Sequence, residues 1–196
     1  PARNGCVKNY LSKQKERKTM KNKSFFKGEL VMLRAVEPED LELLYAIEND
    51  PSMWDISNFS VPYSRYVLRQ YIEQAQSDLF ADQQLRLMII RLSDNAVLGC
   101  IDLMNFSPMH ARGEVGIVLQ REYRGEGYAS EALRLLIQYA FEFLNLNQLT
   151  AHVLVSNEAS LRLFQSCGFG SCGVLKSWWR IGKQYEDAHI LQLLHP

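Results

Sequence analysis

A chain of 196 residues has room for one sizeable core and not for two full domains. At 47% hydrophobic, 11% aromatic and 22% charged residues, it is not a disordered, collagen-like or coiled-coil sequence. Its 22 Lys+Arg and 22 Asp+Glu balance, but residues 1–19 hold six basic residues against Glu16 alone, leaving 16 basic and 21 acidic residues in 20–196, a net of −5. A mildly acidic body offers no nucleic-acid surface and accommodates a cationic or neutral partner more easily.

The basic opening segment has no apolar period and stops at Met20, where patterned sequence begins. Residues 1–19 are therefore expected to be a basic tail or a non-native extension, with 20–196 a single domain. The cysteines at 6, 100, 167 and 172 form no C-x-x-C pair or metal spacing and read as reduced thiols; a nucleophilic Cys167 is the alternative. No apolar run nears the roughly 20 residues that span a bilayer, and the basic N-terminus lacks a following hydrophobic stretch. A cytoplasmic protein without a metal site or membrane contact is expected.

Alternating strands and helices follow. Residues 30–34 predict a short strand. Pro38 and the acids Glu37, Glu39 and Asp40 open a helix that runs to residue 49. Residues 65–80 predict a second amphipathic helix. Strands 85–92 and 97–105 flank the Ser93-Asp94-Asn95 turn as a hairpin, and 114–119 alternates Val115, Ile117 and Leu119 to one face. After Gly125 and Gly127, the positions Ala129, Ala132, Leu133, Leu136, Ile137, Ala140, Phe141 and Leu144 form one buried helical stripe. A strand at 149–155, a short helix at 158–167 ended by Gly168, and a hairpin of 173–180 with 185–194 around Gly182 complete an α/β mixed sheet flanked by helices.

The stretch Arg124-Gly125-Glu126-Gly127-Tyr128-Ala129 lies between a strand and the strongest helix. Glycines let backbone N–H groups approach an anion, and a helix N-terminus adds partial positive charge, so this turn suits a phosphate or pyrophosphate. The same glycines also fit a tight turn that only permits close packing. The P-loop pattern is absent, and the dinucleotide fingerprint lacks its third glycine and the acid some 20 residues further on.

Residues 124–129 match Q/R-x-x-G-x-G/A, and the run from Asn157 to Phe169 matches N-x-x-S-x-x-L-Y-x-x-x-G-F except at Phe164. With these two motifs in this order, residues 28–195 resemble the GNAT N-acetyltransferase superfamily, in the branch of spermidine N-acetyltransferases and N-terminal acetyltransferases of ribosomal proteins. The resemblance implies a GNAT-like acyl-CoA N-acyltransferase fold and acetyl-CoA as acetyl donor. It further implies that Ile117, Val118 and Leu119 offer backbone groups to pantetheine. Arg124, Gly125, Glu126, Gly127, Tyr128, Ala129 and Ser130 would hold the pyrophosphate, with Asn157 and Phe164 along the arm. Asn157 also stands where a helix N-cap would.

Direct attack by an amine needs orientation, removal of a proton from the ammonium and a donor for the developing oxyanion. In this family that donor is a strand N–H, here around Val118 or Leu119. Glu114 is the candidate base, acting directly or through water, because the matching position in spermidine-acetylating relatives is an acid; pairing with Arg112 is its bland alternative. His110 and His152 could titrate near neutrality, although a lone strand histidine is more often structural. Phe164 replaces the tyrosine proposed to protonate the leaving thiolate, and it could simply be core; Tyr123, Tyr128 and Ser166 carry the nearby hydroxyls.

The acceptor should be selected by residues 51–64 and by the C-terminal hairpin with Trp178, Trp179 and Tyr185. Asp50 and Asp55 are present, but Asn58, Phe59, Ser60 and Val61 replace much of the acid-rich pattern of polyamine-acetylating relatives, so a polyamine-like small molecule and a protein N-terminus both stay open. The expected activity is N-acetyl transfer to a primary amine; the alternative is a non-catalytic acyl-CoA-binding or regulatory module. A homodimer is open as well, with the tryptophans as interface or core.

Overall fold

The computed structural model describes residues 25–50, 62–74 and 78–196; the basic 1–19 segment, Asp55 and the 58–61 run lie outside them. Strand β1 (Val31–Ala35) leads through a 3-10 turn (Pro38–Asp40) into helix α1 (Leu41–Glu48). Asp40 fixes this entry: its carboxylate accepts the Glu37 N–H at 2.8 Å and both guanidinium nitrogens of Arg34 at 2.6 and 2.8 Å. Helix α2 (Arg65–Gln74) is separated from a short α3 (Leu79–Asp82), where the sequence predicts one helix. The reason is local: Asp78 is extended and its side chain accepts the Phe80 N–H at 2.8 Å, starting a new helix.

Strands β2 (Leu85–Arg91), β3 (Val97–Ser107) and β4 (Arg112–Leu119) follow as an antiparallel meander. A 3-10 turn (Arg121–Tyr123) and the glycine loop then enter α4 (Tyr128–Gln138), which widens into a π-helical turn (Tyr139–Phe143). Strand β5 (Gln148–Leu154), helix α5 (Glu158–Ser166) and the hairpin β6 (Gly170–Ile181) and β7 (Gln184–Leu194) close the chain. The seven strands are ordered β1-β2-β3-β4-β5-β7-β6, so the sheet is the mixed one expected from the sequence.

The two faces of the sheet carry different helices. On one face Val31, Leu33, Ile101, Leu103, Val115, Leu149 and Leu191 pack with Ala132, Leu133, Leu136 and Ala140 of the α4 segment and Phe164 of α5. Each fully buried Leu contributes about 1.5–3 kcal/mol, so the stripe read from the sequence holds α4 down. On the other face Met88, Ile90 and Cys100 pack against Leu44 of α1.

One pairing departs from the antiparallel pattern and positions the site. Strands β4 and β5 run parallel and pair only at Arg112↔Gln148, Gly113↔Leu149 and Glu114↔Thr150. Beyond Glu114 they diverge, and residues 115–119 of β4 have a strand partner on the β3 side alone.

Candidate active site

At one end of this gap stands the glycine loop. Gly125 and Gly127 both adopt φ of 86°, a left-handed conformation that disfavours any side chain. A Cβ at Gly125 would meet nothing within 4 Å, and at Gly127 only Leu30 Cδ1 at 3.9 Å. The space in front of this backbone is therefore open to a ligand. Gly127 is also the N-cap of α4, and it supplies no side-chain hydrogen bond. The first amides of an eleven-residue helix consequently point into that space without a side-chain acceptor, which is what an anion requires.

An acid in the first turn, Glu131, would repel such an anion if it faced the same way. It is turned aside: its carboxylate accepts the N–H groups of Glu29, Leu30 and Val31 at 2.8, 2.8 and 2.7 Å, tying α4 to the start of β1. A Cβ on Gly28 would collide with that carboxylate at 2.5 Å. This clasp spans about a hundred residues of chain, and the only hint of it in the sequence is an acid in a helical first turn.

The other residues expected at the pyrophosphate are placed unevenly. Arg124 uses Nε on the Leu119 carbonyl at 3.0 Å, leaving its terminal nitrogens for phosphate. Arg91 stands beside the loop, paired with Asp94 at 2.6 Å and lying 5.1 Å over the Tyr123 ring; the hydrogen bonds it donates to Asp94 first and Tyr128 second raise its pKa. Glu126 is exposed, and Ala129 and Ser130 are half-buried. The Ser130 carbonyl accepts the Cys167 thiol at 3.8 Å.

Along β4 the antiparallel ladder decides which backbone groups face the gap. Gln120 N–H bonds the Leu98 carbonyl at 2.9 Å, and hydrogen-bonded positions alternate in such a ladder. With Val118 opposite Cys100, its amide faces β3, whereas Ile117 and Leu119 direct theirs toward the gap. Of Ile117, Val118 and Leu119, the first and third thus face the gap, and of the two residues expected around the oxyanion, Val118 and Leu119, only Leu119 does.

Two more residues take the structural role that the sequence also allowed them. Asn157 caps α5, accepting the Ser160 N–H at 3.1 Å, so its Nδ2 is the part left for a ligand. Phe164, expected along the arm, is 3% exposed and meets Phe169 edge-on at 5.1 Å, so it is core. Ser166 spends its hydroxyl on the Leu163 carbonyl at 2.7 Å; Tyr123 and Tyr128 flank the loop, far along β4 from Glu114.

The opposite end of the gap is built from side chains. Glu114 projects from the face opposite Val115 and Ile117, as predicted, but its partner is not Arg112. One carboxylate oxygen lies 2.7 Å from His152 Nδ1 and the other accepts the Asn105 amide at 2.9 Å. Two bulges bring this about. In β3 the register shifts between Met104 and Ser107, with Asn105 at φ 49°; in β6 it shifts between Leu175 and Trp179, with Ser177 at φ 51°. Such bulges re-aim side chains: the first turns Asn105 onto Glu114, the second sets Trp178 against the His152 ring, centroids 6.1 Å apart and planes 20° apart. A pocket of about 570 Å³ opens here, lined by Gln83, Asn105, Arg112, Glu114, Thr150 and His152 among others.

Beneath that end lies a buried ionic group. Arg86 of β2 reaches both Glu48 of α1 and Asp102 of β3, the latter at 2.7 Å, with side chains 14%, 6% and 8% exposed respectively. Burial works against the Arg86 charge, yet Asp102, Cys100 and Glu48 outweigh it and hold its pKa well above the usual value. Burial, reinforced by Asp102, pushes the Cys100 thiol up to about 12, which removes it as a nucleophile. Among the described residues no cluster of His, Cys, Asp or Glu is suited to a metal ion, and no helix is long and apolar enough to cross a membrane.

A glycine loop opening a helix at one end of a splayed strand pair, with a carboxylate-imidazole pair at the other, suits a transferase that uses a long phosphorylated acyl carrier. Residues 31–170 match the family model of the acetyltransferase (GNAT) domain. The spermidine N(1)-acetyltransferase of Escherichia coli K12 is 31% identical over 165 residues, covering 81% of this chain and 82% of that protein. The N-acetyltransferase p20 of Bacillus licheniformis is 30% identical over 167 residues, covering 85% and 93%. The crystal structure of the Vibrio cholerae spermidine N-acetyltransferase in complex with CoA and spermine superposes with a TM-score of 0.74 at 25% identity, over 85% and 96% of the two chains. The chain belongs to the GNAT acetyltransferase family: it is an N-acetyltransferase, and acetyl-CoA is its acetyl donor.

Proposed function

We propose that residues 20–196 form one catalytic domain that acetylates a primary amine, with the pyrophosphate of acetyl-CoA on residues 124–130 and the acceptor in the pocket at Glu114. The observation that carries this reading is the β4–β5 divergence just past Glu114. Leu119 lies about 17 Å along the strand from Glu114 at a rise of ~3.3 Å per residue, so loop and pocket stand at opposite ends of one open edge. Along that edge the amides of Ile117 and Leu119 bind the pantetheine, Arg124 and the α4 amides hold the diphosphate, and the Asn157 Nδ2 steadies the arm. Orientation of the two substrates then lowers the barrier without a covalent enzyme intermediate.

Glu114 marks where the acceptor's proton leaves. Among the described residues, the pocket around it is lined by one carboxylate, one guanidinium and several amides and hydroxyls. A polyamine needs an acid for each ammonium, so this lining fits an amine with a single cationic centre, such as a peptide N-terminus or a small monoamine, better than spermidine. The thiolate of CoA is a tolerable leaving group without prior protonation, since free thiols ionise near 8.5, and the chain needs no tyrosine at Phe164. The unpaired described cysteines fit a cytoplasmic setting.

Titration calorimetry with acetyl-CoA, followed by CoA release across spermidine, small monoamines and short peptides with free N-termini, tests the reading. Binding with turnover on a peptide or monoamine is expected. Binding without turnover on any amine would mark a regulatory acyl-CoA-binding module instead.

A further inference from the structure

Glu114 is poorly placed to take the proton itself. Both of its oxygens are already engaged, one by His152 Nδ1 and one by Asn105 Nδ2. The imidazole is placed otherwise. His152 is 23% exposed in its side chain, lines the acceptor pocket, and among the described residues its ring is hydrogen-bonded at Nδ1 alone. The carboxylate at Nδ1 sets the tautomer, placing the hydrogen on Nδ1 and leaving the Nε2 lone pair open. Trp178 covers one face of the ring, so the orientation is fixed from β4 and from β6 together.

Resting on the N-acetyltransferase reading, we infer that His152 Nε2 is the group that deprotonates the acceptor amine, and that Glu114 is its positioning residue. An N–H bond of the acceptor ammonium breaks, its proton passes to Nε2, and the nitrogen keeps the electron pair with which it attacks. The imidazolium formed is stabilised by Glu114 and returns its proton to solvent. An imidazole suits this step better than a carboxylate because its reference pKa of about 6.5 lies closer to the working pH than that of Glu, about 4.3. The charged groups facing the ring are few. Glu114 comes from β4, Arg112 is the cation on the pocket wall, Trp178 from β6 is uncharged, and His189 of β7 pairs with Val153 and so lies on the other face.

The test combines kinetics with a spectroscopic signature. In ¹⁵N-edited NMR of the whole protein at pH 8, His152 should be the Nδ1–H tautomer, and E114Q should lose that preference. With the amine that turns over best in the panel above, H152Q should lower kcat/KM by a hundredfold or more and remove the acidic limb of its pH profile. The acetyl-CoA Kd from calorimetry should stay within twofold. E114D, which keeps a carboxylate on Nδ1, should retain more activity than E114Q and keep the pH-dependent rise. An Nε2–H tautomer in the wild type overturns the inference even if H152Q fails to fold. So does an H152Q enzyme within threefold of wild type that keeps the acidic limb. Absence of turnover in the wild type on every amine would instead defeat the N-acetyltransferase reading, with the tautomer still measurable.

Discussion

The two ends of the β4–β5 gap solve opposite problems with opposite materials. The loop end, proposed for the anion, is made of backbone: two glycines in left-handed conformation and a helix start without a side-chain cap. The end proposed for proton transfer is made of side chains from β3, β4, β5 and β6: the parallel β4–β5 pairing brings His152 to Glu114, and two bulges bring Asn105 and Trp178 to them. Binding of a constant diphosphate can be left to main-chain amides, whereas chemistry on a particular amine needs groups that differ from protein to protein. Backbone strain should therefore break the first end and loss of a charge or a hydrogen bond the second.

The largest effect is expected beneath the reacting end. Arg86→Ala would remove the guanidinium shared by the buried Glu48 and Asp102 beside the strand that carries Glu114, and breaking such a group typically costs about 3–5 kcal/mol; urea unfolding measures it. A change below 1 kcal/mol would mean that the ionic group is not what supports this end. Next comes Gly127→Val. A β-branched residue at φ 86° is strained, and its side chain fills the space that a ligand needs. Acetyl-CoA affinity should fall at least a hundredfold, about 2.7 kcal/mol, with the far-ultraviolet dichroism unchanged. Retained affinity would remove the loop from the binding site.

Glu131→Ala separates scaffold from ligand contact. It leaves three backbone N–H groups without their carboxylate, and hydrogen bonds to charged groups are worth about 1.5–3 kcal/mol each. The Glu29 and Leu30 amides are exposed and can turn to water, so a total loss of about 1.5–3 kcal/mol, the worth of the part-buried Val31 bond alone, is expected by urea unfolding, with a smaller change in acetyl-CoA affinity than Gly127→Val causes. The reverse ranking would make Glu131 part of the binding surface. The smallest effect lies at the β6 bulge. The Lys176 ammonium first, and the Ser177 N–H second, hold the Asp187 carboxyl below its ordinary value. Because the folded pKa is depressed, this contribution is present at neutral pH and is lost as pH falls through the folded value. The chemical shift of the Ser177 amide proton, whose nitrogen donates to Asp187 Oδ1 at 2.8 Å, should follow the carboxyl with a midpoint below the reference of about 3.9. A midpoint at or above it would show that the bulge is not anchored there.

The loop end was legible because everything it needs is consecutive. Glycines at 125 and 127 followed by an apolar stripe specify a left-handed entry into a buried helix whatever else the chain does. Most strands were equally readable from alternation. The break between α2 and α3 was missed because Asp78 acts through its own side chain, not through periodicity.

At the reacting end the sequence singled out Glu114, but its partner could not be read from spacing. His152 is 38 residues away, reached through a parallel pairing, and Asn105 and Trp178 arrive by bulges that composition does not announce. Arg112 is two residues from Glu114, and the pleat alone does not say which long side chain will meet a carboxylate. The chain alone thus determined the helix stripe, the strand faces and the glycine turn into α4, since these depend on neighbours within one element. Tertiary structure decided which strands part, which amides face the gap and which imidazole meets which acid, because register and bulge are settled by the packing of the whole sheet.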